Sequence, residues 1–368
     1  MSLPDVTTSQ YQLSTEERLK RFISAVLEKV GVPTDHARVV GDVLSAADLR
    51  GIESHGIARL ESYYVSRIRN GKLNPAPHYD IVRETETSVL LDADNGLGHP
   101  AGKLTMEKVL EKARKNGAAF GAVRNSNHFG IAGYYAMMAL EHDMIGIAST
   151  NSVRYGAPTF GKDVMLGTNP FAYAVPTGKE PAFVLDFATT TVPKGKLEVY
   201  KRKELPLADG WAIDEHGKPT TDPDAAMRGA LLPLGGFGTE HGGHKGYGLG
   251  LLVDILCGVL SGGSFGLGLP LVNDTMEGAI SHWFGAFRVD GFRDVDAFKA
   301  DMDAQLRGFK NSRKAPGCER IYVAGEIEYK KTLAHRRDGV PVHVKVWNGL
   351  EALASELGLP FDLARQDP

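Results

Sequence analysis

The hydrophobic period of this chain changes at Pro75 and Pro77, and that change limits what the chain can fold into. Upstream, apolar residues recur at helical spacing. Ser14-Thr15-Glu16-Glu17 reads as a capping box, and Leu19, Phe22, Ile23, Val26, Leu27 and Val30 follow it up to Gly31. Pro33-Thr34 opens a second helix with Val39, Val40, Val43 and Leu44 on its apolar side, running out near Arg50-Gly51. A third carries Leu60, Tyr64 and Ile68 and stops at Asn70-Gly71. Downstream, strands are expected at 88–92, 118–123, 145–149, 171–175, 183–187 and 282–289, with helices at 101–115, 131–141 and 245–260. Helical spacing returns over 295–309 and 342–357. A chain of 368 residues exceeds one ordinary core. The expectation is an α+β protein: a mixed sheet domain, residues 76–294, beside a helical domain built from residues 1–75 and 295–368.

A formal net charge of −3 leaves no basic footprint for nucleic acid and no polybasic patch for a membrane surface. The most apolar stretch, Leu249 to Leu260, contains Asp254 and is too short to span a bilayer. Two cysteines, Cys257 and Cys318, build neither a disulfide framework nor a CxxC metal pattern, which fits a reducing compartment. Met1-Ser2-Leu3-Pro4 shows no signal-peptide pattern. The expected setting is cytoplasmic. Glycine is abundant, at 43 residues, and clusters at 235–263, where backbone approaching a ligand or another backbone is one explanation.

Ser54-His55-Gly56-Ile57-Ala58-Arg59 concentrates polar chemistry between two helical patterns. Imidazole exchanges protons near neutral pH, and guanidinium is a fork for a carboxylate. The loop Asn125 to Gly133 joins a strand to a helix and contains His128. It either offers helix N–H groups to a diphosphate or is a polar turn whose Asn and Ser side chains cap the helix. No G-x-G-x-x-G follows the first strand of a βαβ unit, so any dinucleotide site needs a different fold. His244-Lys245-Gly246 opens the apolar helix, and Lys245 either reaches a phosphate or ribose or is simply exposed. Thr168 in Gly167-Thr168-Asn169-Pro170 either donates to a substrate oxygen or sits in an ordinary turn. Asp186 either accepts from a ribose hydroxyl or caps the segment after it. A metal-dependent hydrolase built on His55, His128, His241 and His244 is the rival class; H-E-x-x-H is missing, and no metal site is expected.

The chain resembles the type-2 malate/L-lactate dehydrogenases, a group that includes ureidoglycolate and sulfolactate dehydrogenases, diketogulonate reductase and piperideine-2-carboxylate reductase. The matching segments are Gly51 to Leu60, Asn125 to Gly130, Gly167 to Pro170, Leu185 to Thr189, Pro193 to Tyr200 and His244 to Gly248, in family order. The resemblance implies a non-Rossmann, mixed and largely antiparallel sheet domain with a helical domain from both termini, and a homodimer. It implies NAD or NADP as cofactor and a small 2-hydroxy or 2-keto acid as substrate, most of all a malate- or lactate-like one. It makes His55 the proton donor or acceptor with Ser54 as partner, and His128 a rival base. Arg59 and Thr168 become substrate contacts. His128, Phe129, Gly130, Ile131, Ala132, Ser152, Asp186, Phe187, Ala188, His244, Lys245, Gly325 and Glu326 become cofactor contacts. Lys194-Gly195-Lys196 stands where the imine-reductase branch carries a relay aspartate, which favours the malate/lactate-like branch. Arg320, Lys330 and Lys331 are candidates for a 2′-phosphate, or ordinary exposed cations.

Overall fold

The computed structural model describes residues 10–271 and 278–365; Met1 to Pro4 lies outside them. Strand β1 (Tyr11–Ser14) leads to helices α1 (Glu16–Lys29) and α2 (Thr34–Leu49). Two 3-10 turns, Glu53–His55 and Ile57–Arg59, run into a π-helical turn, Leu60–Val65, and then α3 (Ser66–Arg69). Next come β2 (Asp80–Glu84), β3 (Ser88–Gly96), α4 (Gly98–Asn116), β4 (Ala118–Ser126), α5 (Ala132–Met137), β5 (Met144–Thr150), β6 (Phe171–Val175) and β7 (Phe183–Phe187). A small lobe holds α6 (Lys194–Arg202), β8 (Ala212–Ile213), β9 (Pro219–Thr220), α7 (Pro223–Arg228) and β10 (Ala230–Leu231). The chain continues through α8 (Gly243–Asp254), β11 (Ile280–Arg288), α9 (Val295–Lys310), α10 (Glu326–Asp338), β12 (Val340–His343) and α11 (Val344–Leu357).

The main sheet has the strand order β2-β3-β4-β11-β5-β6-β7. Only β3 and β4 pair in parallel, joined through α4; the other neighbours are antiparallel. The sheet is therefore mixed and largely antiparallel. Its core gathers Val89, Leu91, Met106, Val109, Tyr135 and Phe284, contributed by the sheet and by α4 and α5. A second core gathers Leu19, Ile23, Val26, Leu27, Val40 and Leu44 of α1 and α2 with Leu350 and Leu353 of α11. The two chain ends meet there, since β1 pairs antiparallel with β12. In contrast α9 is tied to the sheet: Asp303 accepts from the backbone N–H groups of Gly178, Lys179 and Glu180, at 3.0, 2.7 and 3.1 Å.

Local departures from expectation have physical causes. Ser14 pairs with Val340 in the β1–β12 ladder, so Thr15 becomes the cap of α1 and accepts from Arg18 N–H at 3.3 Å. The third helix begins as a π-helical turn. Helix α8 ends at Asp254 and opens into a π-turn, Ile255–Val259. There Cys257 and Gly258 are buried, and a Cβ on Gly258 would lie 2.6 Å from Ser264 O. Helix α5 is shorter than expected and gives way to a 3-10 turn. The glycine cluster serves backbone packing in part: a Cβ on Gly246 would sit 2.1 Å from Leu234 O. Among the described residues no helix is long and apolar enough to cross a membrane.

Candidate active site

Helix α2 ends where Gly51 takes a φ of +71°, and the chain then doubles back through the two 3-10 turns. A carboxyl group organises this return. Asp48, almost fully buried near the end of α2, accepts from Ile57 N–H at 2.8 Å. Residue 56 has to be glycine, because a Cβ there would lie 1.8 Å from Asp48 Oδ1. Burial pushes Asp48 up to about 8.

The turn presents Ser54, His55 and Arg59 together. Ser54 Oγ lies 2.9 Å from His55 Nδ1, and Arg59 Nε donates to Ser54 O at 2.8 Å. The Arg59 Nη groups meet no carboxylate among the described residues, and the side chain is exposed. The half-buried His55 ring stacks on His128, centroids 5.3 Å apart. Behind His128, Nδ1 lies 2.6 Å from the Tyr64 hydroxyl, which is 3.2 Å from His99 Nε2. His282 lies deeper, bonded to Ser126 Oγ at 2.9 Å and Thr150 Oγ1 at 2.8 Å and stacked on Phe129.

These imidazoles are neutral at neutral pH. Burial and the Arg59 charge bring His55 down to about 4. Burial alone brings His99 to about 3, and burial with the His99 ring brings His282 to about 3. Burial, then His55 and His99, holds His128 well below its usual range.

A second set of predicted residues lines the sheet. Asp186 on β7 accepts from Gly133 N–H at 2.7 Å through Oδ2, and Oδ1 has no hydrogen bond among the described residues. It therefore caps α5 rather than the segment after it. The Asn and Ser side chains of the 125–133 loop do not cap α5: Asn125 donates to Asp92, Ser126 meets His282, and Asn127 donates to Asn95 and Gly96. The side chains of Phe129, Ile131 and Ala132 are buried, so only their backbone can face a ligand. Ser152 Oγ accepts from Thr168 N–H at 3.0 Å and lies 3.2 Å from Thr168 Oγ1. Phe187 pairs with Phe171 at the end of β7, one residue before Ala188. Gly325 packs on Val184 of β7, and buried Glu326 is bonded to Arg320 and to Lys330 (3.1 Å), so those two cations are already paired. Burial raises the Asp186 carboxyl against the pull of the Arg50 charge.

His244 and Lys245 stand exposed at the first turn of α8, with no bond to the His55 corner. Among the described residues no group of three or more His, Cys, Asp or Glu side chains could hold a metal ion. Sequence reasoning misses Asp48, Tyr64, His99, His282 and Arg50. Tyr64 reads as an apolar helix position, and the others carry no motif.

The chain matches known proteins over most of its length. The family described as malate/L-lactate dehydrogenase matches residues 14–351. The malate dehydrogenase of Pyrococcus abyssi is 46% identical over 345 residues, 94% of each chain. The L-sulfolactate dehydrogenase of Methanocaldococcus jannaschii is 39% identical over 347 residues, 94% of this chain and 97% of the relative. The solved malate dehydrogenase of Entamoeba histolytica superposes with a TM-score of 0.90 at 37% identity, covering 96% of this chain and 100% of that one.

The neutral histidines make stability sensitive to acid. Unfolded histidines titrate near 6.5, so His55, His99, His128 and His282 each bind more protons in the unfolded chain as pH falls below about 6.5. Asp48, Asp186 and Asp254 are raised and act oppositely, but the half-buried His36 and the depressed carboxyls of Glu16, Asp92 and Glu326 act with the four histidines. Stability therefore declines as pH drops from about 6.5 to 4. The melting temperature should be lower at pH 4.5 than at pH 7; an equal or higher value would overturn this account.

Proposed function

The chain belongs to the malate/L-lactate dehydrogenase family, and from that premise we propose that the His55–Arg59 corner is where a 2-hydroxy acid is oxidised or its keto acid reduced. The observation that carries this is the guanidinium fork of Arg59, whose Nη groups meet no carboxylate among the described residues, beside a neutral imidazole, His55, stacked on a second, His128. Arg59 pairs with the substrate C1 carboxylate and fixes C2 in place. His55, neutral at pH 7, takes the C2 hydroxyl proton as the C2–H bond breaks, and returns it in reduction. His128 lies beside it and bonds the same oxygen.

The residues on the sheet side fit a nicotinamide dinucleotide, NAD or NADP. Asp186 has Oδ1 to offer a ribose hydroxyl, the Ser152–Thr168 hydroxyl pair lies at the loop before β6, and Lys245 carries no ion pair among the described residues. The nicotinamide supplies the hydride acceptor of the oxidation. Phe129, Gly130, Ile131, Ala132, Gly325 and Glu326 contribute backbone and shape around it.

A dianionic acid such as malate is the preferred substrate in this reading. Lys194 Nζ lies 5.0 Å from the Tyr155 ring centre and shares Glu198 at 3.5 Å. The Arg59 charge is felt at the Tyr155 hydroxyl. Lys194 on α6 is the second cation assigned to the distal anionic group of malate or sulfolactate, since Tyr155 lies against it and also feels the Arg59 charge.

A homodimer is proposed on the apolar face of α8 and its π-turn. Leu249, Leu252, Ile255, Val259 and Leu260 are exposed along one continuous segment, and Phe265 and Leu267 follow it. Such a patch is characteristic of an interface. Cys257 and Cys318 are free thiols, which suits a cytoplasmic setting.

Malate, lactate, sulfolactate and ureidoglycolate assayed with both cofactors should give the highest kcat/KM with a dianionic acid, and His55→Ala should lower kcat by about 10²–10⁴. Full activity in His55→Ala would remove it from the mechanism. Lys194→Met should raise KM for malate by about tenfold while leaving lactate unchanged; equal effects on both would dismiss the second cation. Sedimentation velocity should return twice the chain mass, and Leu252→Asp with Val259→Asp should halve it; a wild-type monomer would reject the interface.

A further inference from the structure

Two buried groups behind His128 take no part in that chemistry. Tyr64 and His99 are each fully buried, Tyr64 in the core shared by the chain ends and His99 at the start of α4. The Tyr64 hydroxyl bridges them to the cleft, 2.6 Å from His128 Nδ1 and 3.2 Å from His99 Nε2.

The hydrogens in this row can be placed by elimination. Gly130 N–H points at His128 Nδ1 from 3.3 Å, so Nδ1 is an acceptor and carries no proton. The Tyr64 hydroxyl must then donate to Nδ1, since two acceptors cannot share the contact. Its oxygen accepts from His99 Nε2–H. His99 Nδ1 becomes a bare lone pair, and it is indeed buried without a partner. The opposite polarity fails twice. It sets Gly130 N–H against an imidazole N–H, and it strands a protonated His99 Nδ1 in the core, where an orphaned donor is worse tolerated than an orphaned acceptor. Burial keeps all three groups uncharged: it drives the Tyr64 hydroxyl well above its usual range and both imidazoles far below theirs.

We propose that Tyr64 and His99 are positioning residues that lock His128 as its Nε2–H tautomer, so that His128 donates a hydrogen bond to the reacting C2 oxygen and leaves proton transfer to His55. This rests on the reading of the cleft as a 2-hydroxy-acid site. In the oxidation the C2–H bond breaks with its electron pair going to the nicotinamide. The hydroxyl proton goes to His55, and the Nε2–H proton stays on His128 throughout. The two stacked histidines thus have different work, and the difference is set from behind the cleft.

Long-range ¹H–¹⁵N spectra of ¹⁵N-histidine-labelled protein read the tautomer without substrate, so this result stands apart from whether the hydroxy-acid reading holds. His128, identified by the signal lost in His128→Gln, should show a bare Nδ1 and a protonated Nε2 from about pH 5 to 8. A protonated Nδ1 overturns the proposal. Tyr64→Phe should give mixed tautomers and lower kcat by about a hundredfold, with the dissociation constants of NADH and NADPH unchanged. His99→Gln keeps an N–H near the Nε2 position and should retain most activity, whereas His99→Leu should fall with Tyr64→Phe. Equal losses in His99→Gln and His99→Leu, or Tyr64→Phe within about twofold of wild type, would reject the lock. If Tyr64→Phe does not fold, the wild-type spectrum decides alone.

Discussion

The bond from Ile57 N–H to the Asp48 carboxyl organises the corner at residues 54–59. It crosses a reversal of the chain in which Gly51 supplies the turn and Gly56 supplies the room. Among the described residues no cation is bonded to Asp48, and its pKa is lifted to about 8 by burial. A buried carboxyl in this state is expensive and is tolerated where it determines geometry. Here it determines where residues 54–59 begin. Ser54 is held by the Arg59 side chain on its carbonyl, and His55 by the Ser54 hydroxyl, so displacement of Ile57 would carry all three away from His128.

Electrostatics follow from the same packing. The cleft gathers imidazoles at short range, and burial keeps them neutral. Arg59 is then a permanent charge beside neutral imidazoles at the corner. A carboxylate arriving there has one bidentate partner and therefore one preferred orientation. Had the histidines been charged, several cations would compete for the anion and the orientation of C2 would be loose. A neutral His55 is also the form that can accept a proton, so burial serves both orientation and acid–base readiness.

Much of this was legible in the residues. The change of period at Pro75 and Pro77 marks where the helical start gives way to the sheet, and the strands at 88–92, 118–123, 145–149, 171–175, 183–187 and 282–289 all lie within observed strands or overlap them closely. Ser54, His55, Arg59 and His128 are visible because polar residues crowd between periodic segments. Asp48 is not visible, since an aspartate near a helix end reads as solvated and its partner lies nine residues on. Tyr64 hides among apolar helix positions because its ring does pack in the core; only its hydroxyl reaches His128 and His99. The small strands β1, β8, β9, β10 and β12 are two to four residues long and carry no period to read. The π-turns at 60–65 and 255–259 escape notice for a different reason: both keep helical spacing of apolar residues, and the extra residue per turn shows only in the bonds.

The π-turn at 60–65 is where packing and chemistry meet. It comes directly after the Arg59 turn and ends in α3, with Tyr64 inside it. Tyr64 belongs by packing to the core that α1, α2 and α11 share, while its hydroxyl reaches His128 and His99 on the sheet side. The hydrogen-bond row therefore crosses the seam between the two cores. Rigid packing on either side alone would leave the stacked histidines free to slide, because ring stacking resists sliding weakly. A 2.6 Å bond from a ring packed in one core to the imidazole of His128, the neighbour of Phe129 in the other, removes that freedom. The registration of His55 over His128, on which the proposed division of their chemistry depends, is thus set by how the two cores seat against each other, and a change at the seam would reach His128 through Tyr64.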